Sequence, residues 1–286
     1  MRDHTFSRVT VTVLGIIGAG FLTAVPSGRG VVNGFADTGN TYESVGRMIF
    51  TVVAPNPPGF PIGTILNSCT VTLIEPDVAL TAGHCVASNA QNGQPPWLRA
   101  VVTFDRDDSL DESKWIEVAR TAVHPTVPHC MGPCTFDAGD PGILDTDLIF
   151  LANEVPGIRP SKLAPRNMLQ SVERLQSIFN VNTPMAFVGY GTTDYNGGDF
   201  EYSSSRRIGV FTFDRIQDEQ WASWNKGPSS ACYGDSGAPI FVQVGSQQGI
   251  VASISDAGDT CTEEETHARA DTKYVQDWIK ETIAAR

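Results

Sequence analysis

Two short stretches decide how this chain is read. Near the C-terminal end it runs Cys232-Tyr233-Gly234-Asp235-Ser236-Gly237-Ala238-Pro239, and far upstream Leu80-Thr81-Ala82-Gly83-His84-Cys85. A serine in a glycine-rich turn is a nucleophile only with a base to take its proton, because a hydroxyl does not ionise at neutral pH. Ser236 is the candidate nucleophile. His84 is the candidate base, since imidazole titrates near neutrality. Either residue alone reads as structural; the two motifs together do not. Each lies beside a cysteine able to fix its backbone.

At 286 residues the chain has room for one large domain or two small ones. Its formal charge is −12, from 20 Lys+Arg against 32 Asp+Glu, which argues against a nucleic-acid partner because phosphate binding needs clustered cations. Arg2 and Arg8 precede an uncharged run from Val9 to Leu22, followed by small residues. We read residues 1–24 as a signal peptide rather than a membrane anchor, the run being short, rich in Gly and Thr and soon followed by Pro26. In an exported protein the six cysteines, Cys69, Cys85, Cys130, Cys134, Cys232 and Cys261, suggest disulfides. Cys130 and Cys134 beside His129 have near-metal spacing, but no second ligand pair accompanies them.

Strand-like runs dominate: Met48–Val53, Ser68–Ile74, Arg99–Phe104, Leu148–Leu151, Met185–Tyr190, Ile208–Phe213, Pro239–Val244 and Gly249–Ile254. Helical periodicity is scarce until the end. There Tyr274, Val275, Trp278, Ile279 and Ile283 recur at helical spacing after a cap at Asp271 or Thr272. The pattern is an antiparallel sandwich or barrel with a final helix.

A base that accepts a serine proton needs a buried carboxylate on its second ring nitrogen. Asp147 is the leading candidate, at the mouth of the apolar strand Leu148-Ile149-Phe150-Leu151. Asp145 competes, and lies on the same face if the strand extends back. The backbone N–H groups of Gly234 and Ser236 are the simplest oxyanion donors.

With these residues in hand, the chain resembles the chymotrypsin/trypsin family of serine proteases. The resemblance lies in Thr81-Ala82-Gly83-His84-Cys85, in Asp147 leading its apolar strand, in 232–239, and in the order His, Asp, Ser. It extends through Val31-Val32-Asn33-Gly34, Gly189-Tyr190-Gly191-Thr192 and the terminal Tyr274–Ile279. It implies two antiparallel six-stranded Greek-key β-barrels, at about 31–152 and 153–270, with a C-terminal helix at about 271–285. It also implies disulfides Cys69–Cys85 and Cys232–Cys261, leaving Cys130 and Cys134 to pair locally. A loop the size of 69–85 gives about 3 kcal/mol in the chain-entropy view. The implied activity is secreted endopeptidase action on protein or peptide substrates through an acyl-enzyme, by a monomer with no cofactor. The alternative is a catalytically silent homologue used for binding; a membrane-tethered form is a third reading.

The resemblance further implies that a short propeptide, 25–30, is removed, and that the Val31 ammonium then pairs with Asp235. A cut after Arg29 leaves Gly30 first, one residue more than the family pattern, so the final N-terminus is expected at Val31. The position at the specificity-pocket floor is Ser230, which disfavours cleavage after Lys or Arg. Ile254 is expected to replace a glycine of the pocket wall and favour smaller apolar side chains. Glu263-Glu264-Glu265 reads as a solvated loop, the competing reading being negative charge supplied to the pocket. Asp105, Asp107, Asp108, Asp111 and Glu112 fall near the family's calcium loop, though an acidic surface loop is the plainer reading of 105–112. Ala238 and Ile149 depart from the family's usual Gly and Ala, and the gap from His84 to Asp147 is longer than usual.

Overall fold

The computed structural model describes residues 31–56, 59–90, 96–127, 142–193, 203–225, 227–244, 247–258, 261 and 265–286. The expected signal peptide and propeptide, Cys130, Cys134, Glu263 and Glu264 lie outside the described residues. Short β1 (Phe35–Ala36) is followed by β2 (Val45–Val52), β3 (Ile65–Glu75), β4 (Val78–Thr81), β5 (Leu98–Thr103), β6 (Ile116–Ala122) and β7 (Asp147–Leu151). Strands β2 to β7 close into an antiparallel barrel in the order β2-β3-β4-β7-β6-β5.

The second barrel repeats that plan. It comprises β8 (Thr183–Gly189), β9 (Arg207–Ile216), β10 (Trp221–Asn225), β11 (Pro239–Val244), β12 (Gln247–Asp256) and β13 (Glu265–Arg269). Their order is β9-β10-β13-β12-β11-β8, closed by the β8–β9 pairing, with β1 laid on the outer side of β9. In each barrel the first three strands are neighbours and the last three follow in reverse, the Greek-key arrangement. Closure leaves no free sheet edge.

The apolar runs become strands because a small barrel buries one face of each strand inside and packs much of the other against its neighbour. Met48, Val71, Leu73, Val102 and Ile149 fill the first barrel, and Met185, Phe187, Phe211, Trp224, Ile240 and Val251 the second. A third cluster lies on the seam between them. It joins Val45, Leu80, Leu148 and Phe150 to Val188, Ile208, Phe241 and Ile250. Helix α3 (Lys273–Ala284) covers this seam through Val275 and Ile279; Thr272, not Asp271, caps it by accepting the Val275 N–H.

Elements beyond the sequence reading include β4, β6, β10, β13 and α2 (Met168–Phe179). Asp271 instead accepts the Leu169 N–H near the start of α2, while its other oxygen binds Arg269. No helix among the described residues is long and apolar enough to cross a membrane.

Candidate active site

The site lies where the ends of the two barrels meet. β4 delivers the chain to α1 (Gly83–Ala90), whose second residue is His84. The Cys69–Cys85 disulfide ties α1 back to β3. Ser236 comes from the turn that enters β11. Its carbonyl accepts the Thr70 N–H at 2.8 Å, and the Thr70 hydroxyl donates to Gly234 O at 2.9 Å. The same Thr70 oxygen accepts the Tyr190 N–H from the second barrel. Thr70, fully buried on β3, therefore fixes the Ser236 turn against the barrel that carries His84. The sequence offered only its place beside Cys69 as a signal.

Gly237 shows why this turn requires glycine. Its φ is +84°, and a Cβ there would lie 2.3 Å from Thr70 O and 2.3 Å from Thr81 Oγ1. Cys232–Cys261 pins the other end of the turn. Gly234 and Ser236 line the cleft with His84, and among the described residues their N–H groups donate to no acceptor. The cleft, about 340 Å³, also takes in Asn67, Tyr233 and the wall Ile254 to Gly258.

The carboxylate at His84 is Asp145, a correction to the expected Asp147. Asp145 Oδ2 lies 2.8 Å from His84 Nδ1, and Oδ1 accepts the His84 backbone N–H at 2.7 Å. The Ser255 hydroxyl donates to Asp145 Oδ2 as well. Asp147 accepts the His124 N–H at 2.6 Å instead, and its other oxygen is buried without a hydrogen-bond partner. The reason is local. Thr146 N donates to Leu144 O, a three-residue turn centred on Asp145, so the strand does not extend back and the two aspartates part company.

Their electrostatics diverge accordingly. Burial alone pushes Asp145 up, but the His84 charge and hydrogen bonds from His84 and Ser255 bring it below its ordinary value. Asp147 is raised well above its ordinary value, mainly by burial, with Asp145's charge adding. Burial lowers His84, yet the Asp145 carboxylate more than offsets this, so its pKa lies above the ordinary 6.5. With Nδ1–H directed at Asp145, Nε2 is the ring nitrogen left to take a proton.

The remaining expected residues are placed as follows. Val31 is wholly buried beside the second barrel, and Val32 forms a bridge to Ser230, whose N–H donates to Val32 O at 3.1 Å. Asp235 is equally buried. Its oxygens accept the N–H groups of Gly191 and Cys232, with no cation at ion-pair distance among the described residues. Burial, with Glu265 adding, pushes Asp235 up to about 7. Gly191 makes room for it, since a Cβ there would lie 2.3 Å from Asp235 Oδ2.

Ile254 is core-packed. Its N–H donates to Ala238 O and its carbonyl accepts the Gly237 N–H, so it backs the nucleophile turn while reaching the cleft; Asp256, Ala257 and Gly258 continue the wall. Glu265 is a second correction. It is not solvated but 1% exposed, because β13 begins at this residue and turns its carboxylate inward onto the Ala231 N–H and His267.

In the acidic loop the carboxylates pair with nearby basic side chains and backbone N–H groups. Asp105 and Asp111 share the Lys114 ammonium, Arg106 binds Asp107, and Asp105 Oδ1 accepts the N–H groups of Asp107 and Asp108. The Lys114 side chain supplies the positive charge a hard cation would bring. Cys69, His84 and Cys85 cluster closely, but both sulfurs are consumed in the disulfide.

Comparison with known proteins bears on the whole assembly. The family model described as Trypsin matches residues 59–279, a span that holds His84, Asp145 and Ser236. Trypsin eta of Drosophila erecta is 23% identical over 285 residues, covering 96% of this chain and 97% of that protein. Chymotrypsin-like elastase family member 1 of Macaca fascicularis is 25% identical over 242 residues, covering 78% and 81%. Human chymotrypsin-like elastase family member 3B is 24% identical over 242 residues, with the same coverage. With the family model spanning most of both barrels, the chain belongs to the trypsin family of serine proteases.

Proposed function

We propose that this protein is a secreted serine endopeptidase with His84, Asp145 and Ser236 as its triad. The observation that carries the reading is the double hold of Asp145 on His84, by ring and backbone, in a cleft shared with Ser236. Ser236 Oγ attacks a peptide carbonyl as its proton passes to His84 Nε2. Asp145 stays ionised and steadies the imidazolium. The Gly234 and Ser236 N–H groups stabilise the oxyanion. His84 then protonates the leaving amine, the acyl-enzyme forms, and water repeats the sequence with the same groups. No cofactor enters this scheme. Disulfides support an oxidising compartment, and the negative charge disfavours nucleic acid. The protein acts on protein or peptide substrates as a monomer.

Activation is read as removal of the segment before Val31. Asp235, buried with its carboxyl raised, and Val31, buried in the second-barrel core, support a pairing of the new ammonium with that carboxylate. For the specificity pocket, the cleft wall of Ile254, Ala257 and Gly258 supports cleavage after small or medium apolar residues rather than Lys or Arg; Ser230, buried outside the cleft lining, adds no charge.

Ser236→Ala should lower kcat by about a millionfold and abolish covalent labelling by a fluorophosphonate. Asp145→Asn should cost about ten thousandfold through the wrong imidazole tautomer, whereas Asp147→Asn should stay within about tenfold of wild type. The reverse ranking in peptide hydrolysis would return the role to Asp147; an unlabelled wild type would leave a silent homologue. Because His84 is raised, kcat/KM should be full at higher pH and fall as pH drops through a value above 6.5. A pH–rate profile with its acid limb below that value contradicts the coupling to Asp145. Mass analysis of active enzyme should give Val31 as the first residue, and an intact Gly30 in active enzyme would refute the activation scheme. A chromogenic peptide panel varying the residue before the cut should favour Ala, Val or Leu over Lys and Arg, and a basic preference would overturn the pocket reading.

A further inference from the structure

Behind the cleft wall, β12 and β13 fall out of step. Ser253 pairs with Ala268 and Asp256 with Thr266, so β12 carries one extra residue, a bulge, at 254–255. A bulge leaves a ladder N–H without its carbonyl and re-aims a side chain. Here the Ser255 N–H is taken up by a side chain: it donates to His267 Nδ1 at 3.2 Å. The re-aimed Ser255 hydroxyl is the one that meets Asp145.

His267 is itself held on every side. Since Nδ1 accepts, the ring proton sits on Nε2, which points at Glu265 Oε2 at 3.0 Å. The ring packs against both Phe211 and Trp224, at centroid distances of 5.7 and 5.2 Å, and those two rings also touch each other at 5.7 Å. Glu265 and His267 are two apart on β13 and so share its inward face. Both are essentially inaccessible, at 1% and 0% exposed. The other oxygen of Glu265 accepts the Ala231 N–H at 3.0 Å, at the start of the nucleophile turn. An uninterrupted polar chain thus runs from Ala231 through Glu265, His267 and Ser255 to Asp145 and His84. Two buried ionisable side chains on a core strand are costly to desolvate, and here each is satisfied by a partner that leads toward the site.

We propose that Glu265 and His267 are positioning residues for catalysis: they lock the β12 bulge that aims the Ser255 hydroxyl at Asp145. Neither touches substrate. Glu265 fixes the His267 tautomer, His267 supplies the acceptor that the bulge removes from the ladder, and Ser255 carries the effect to the carboxylate. The inference rests on the triad reading of His84, Asp145 and Ser236.

The test uses the full mature enzyme. In Glu265→Gln the amide cannot accept from both Ala231 and His267, so one link breaks while shape is kept. His267→Phe keeps a ring and loses both bonds; His267→Gln keeps an acceptor and a donor. Expected for Glu265→Gln and His267→Phe is a fall of about tenfold in kcat and in the fluorophosphonate labelling rate, with KM within about twofold. Their acid limb should move upward, because an Asp145 that loses the Ser255 hydroxyl pulls harder on His84; the other charge acting on His84, Asp256, is unchanged. Ser255→Ala should move the limb equally, and adding His267→Phe to it should move it no further. His267→Gln should recover most of the loss seen in His267→Phe. Should His267→Phe fail to fold, Glu265→Gln against His267→Gln makes the same comparison. An acid limb that moves in Ser255→Ala but not in the folded Glu265 and His267 variants overturns the proposal. So does a changed preference for the residue before the cut, which would assign Glu265 to substrate selection. A wild type that fails to label defeats the triad reading itself, a result distinct from either.

Discussion

The geometry of the site depends on one buried threonine. Thr70 donates its N–H to Ser236 O and its hydroxyl to Gly234 O, and accepts the Tyr190 N–H. Its own carbonyl accepts the Thr81 hydroxyl, two residues ahead of Gly83. Each bond is of ordinary strength, about 1 kcal/mol net. Their value is in what they join: the Ser236 turn, the second-barrel strand and the approach to His84 all meet at one residue of the first barrel. The close fit of Gly237 against Thr70 and Thr81 shows how little slack the junction has.

Around that junction the two barrels divide the chemistry. The first holds His84 and Asp145; the second holds Ser236, Gly234 and the cleft wall from Ile254 to Gly258. Neither barrel alone contains the site. The seam cluster under α3 keeps them in register by apolar burial, while Asp37 and Arg206, an ion pair buried at 1% and 0% exposure, tie the segment after Val31 to the chain just before β9. A buried pair of this kind contributes little net stability, but losing one partner is expensive. It acts as a fixed hinge pin rather than as glue.

How much of this was legible in the sequence follows from what each residue had to disclose. The apolar strands announced themselves, because a barrel strand of Val, Ile, Phe and Thr reads the same in sequence and in space. His84 and Ser236 announced themselves through their motifs, and the two described disulfides followed from the family resemblance rather than from the cysteines alone. Asp145 did not, because the alternation rule placed it on the face of Asp147, and the three-residue turn that separates them leaves no mark on composition. Strand β13, Glu-Thr-His-Ala-Arg, reads as surface. It is core because Glu265 pairs with His267 and Arg269 with Asp271, partnerships visible only after folding. Helix α2 was hidden by Leu175, Ile178 and Phe179, exposed apolar residues that blur its stripe. Thr70 is a strand-former in a strand, and nothing about its type reveals what it holds.

Asp235 has a consequence of another kind. Burial pushes this enclosed carboxyl up to about 7, while the Gly191 and Cys232 N–H groups and the Arg207 charge pull it back. A positive group arriving beside it favours the ionised form, so docking of any cation there expels part of a proton from the interior. If the Val31 ammonium docks there as proposed, its docking releases part of a proton, and acid would oppose that pairing by mass action, apart from the titration of the imidazole. Under that proposal the pH of the surrounding fluid would tune how readily the new N-terminus docks.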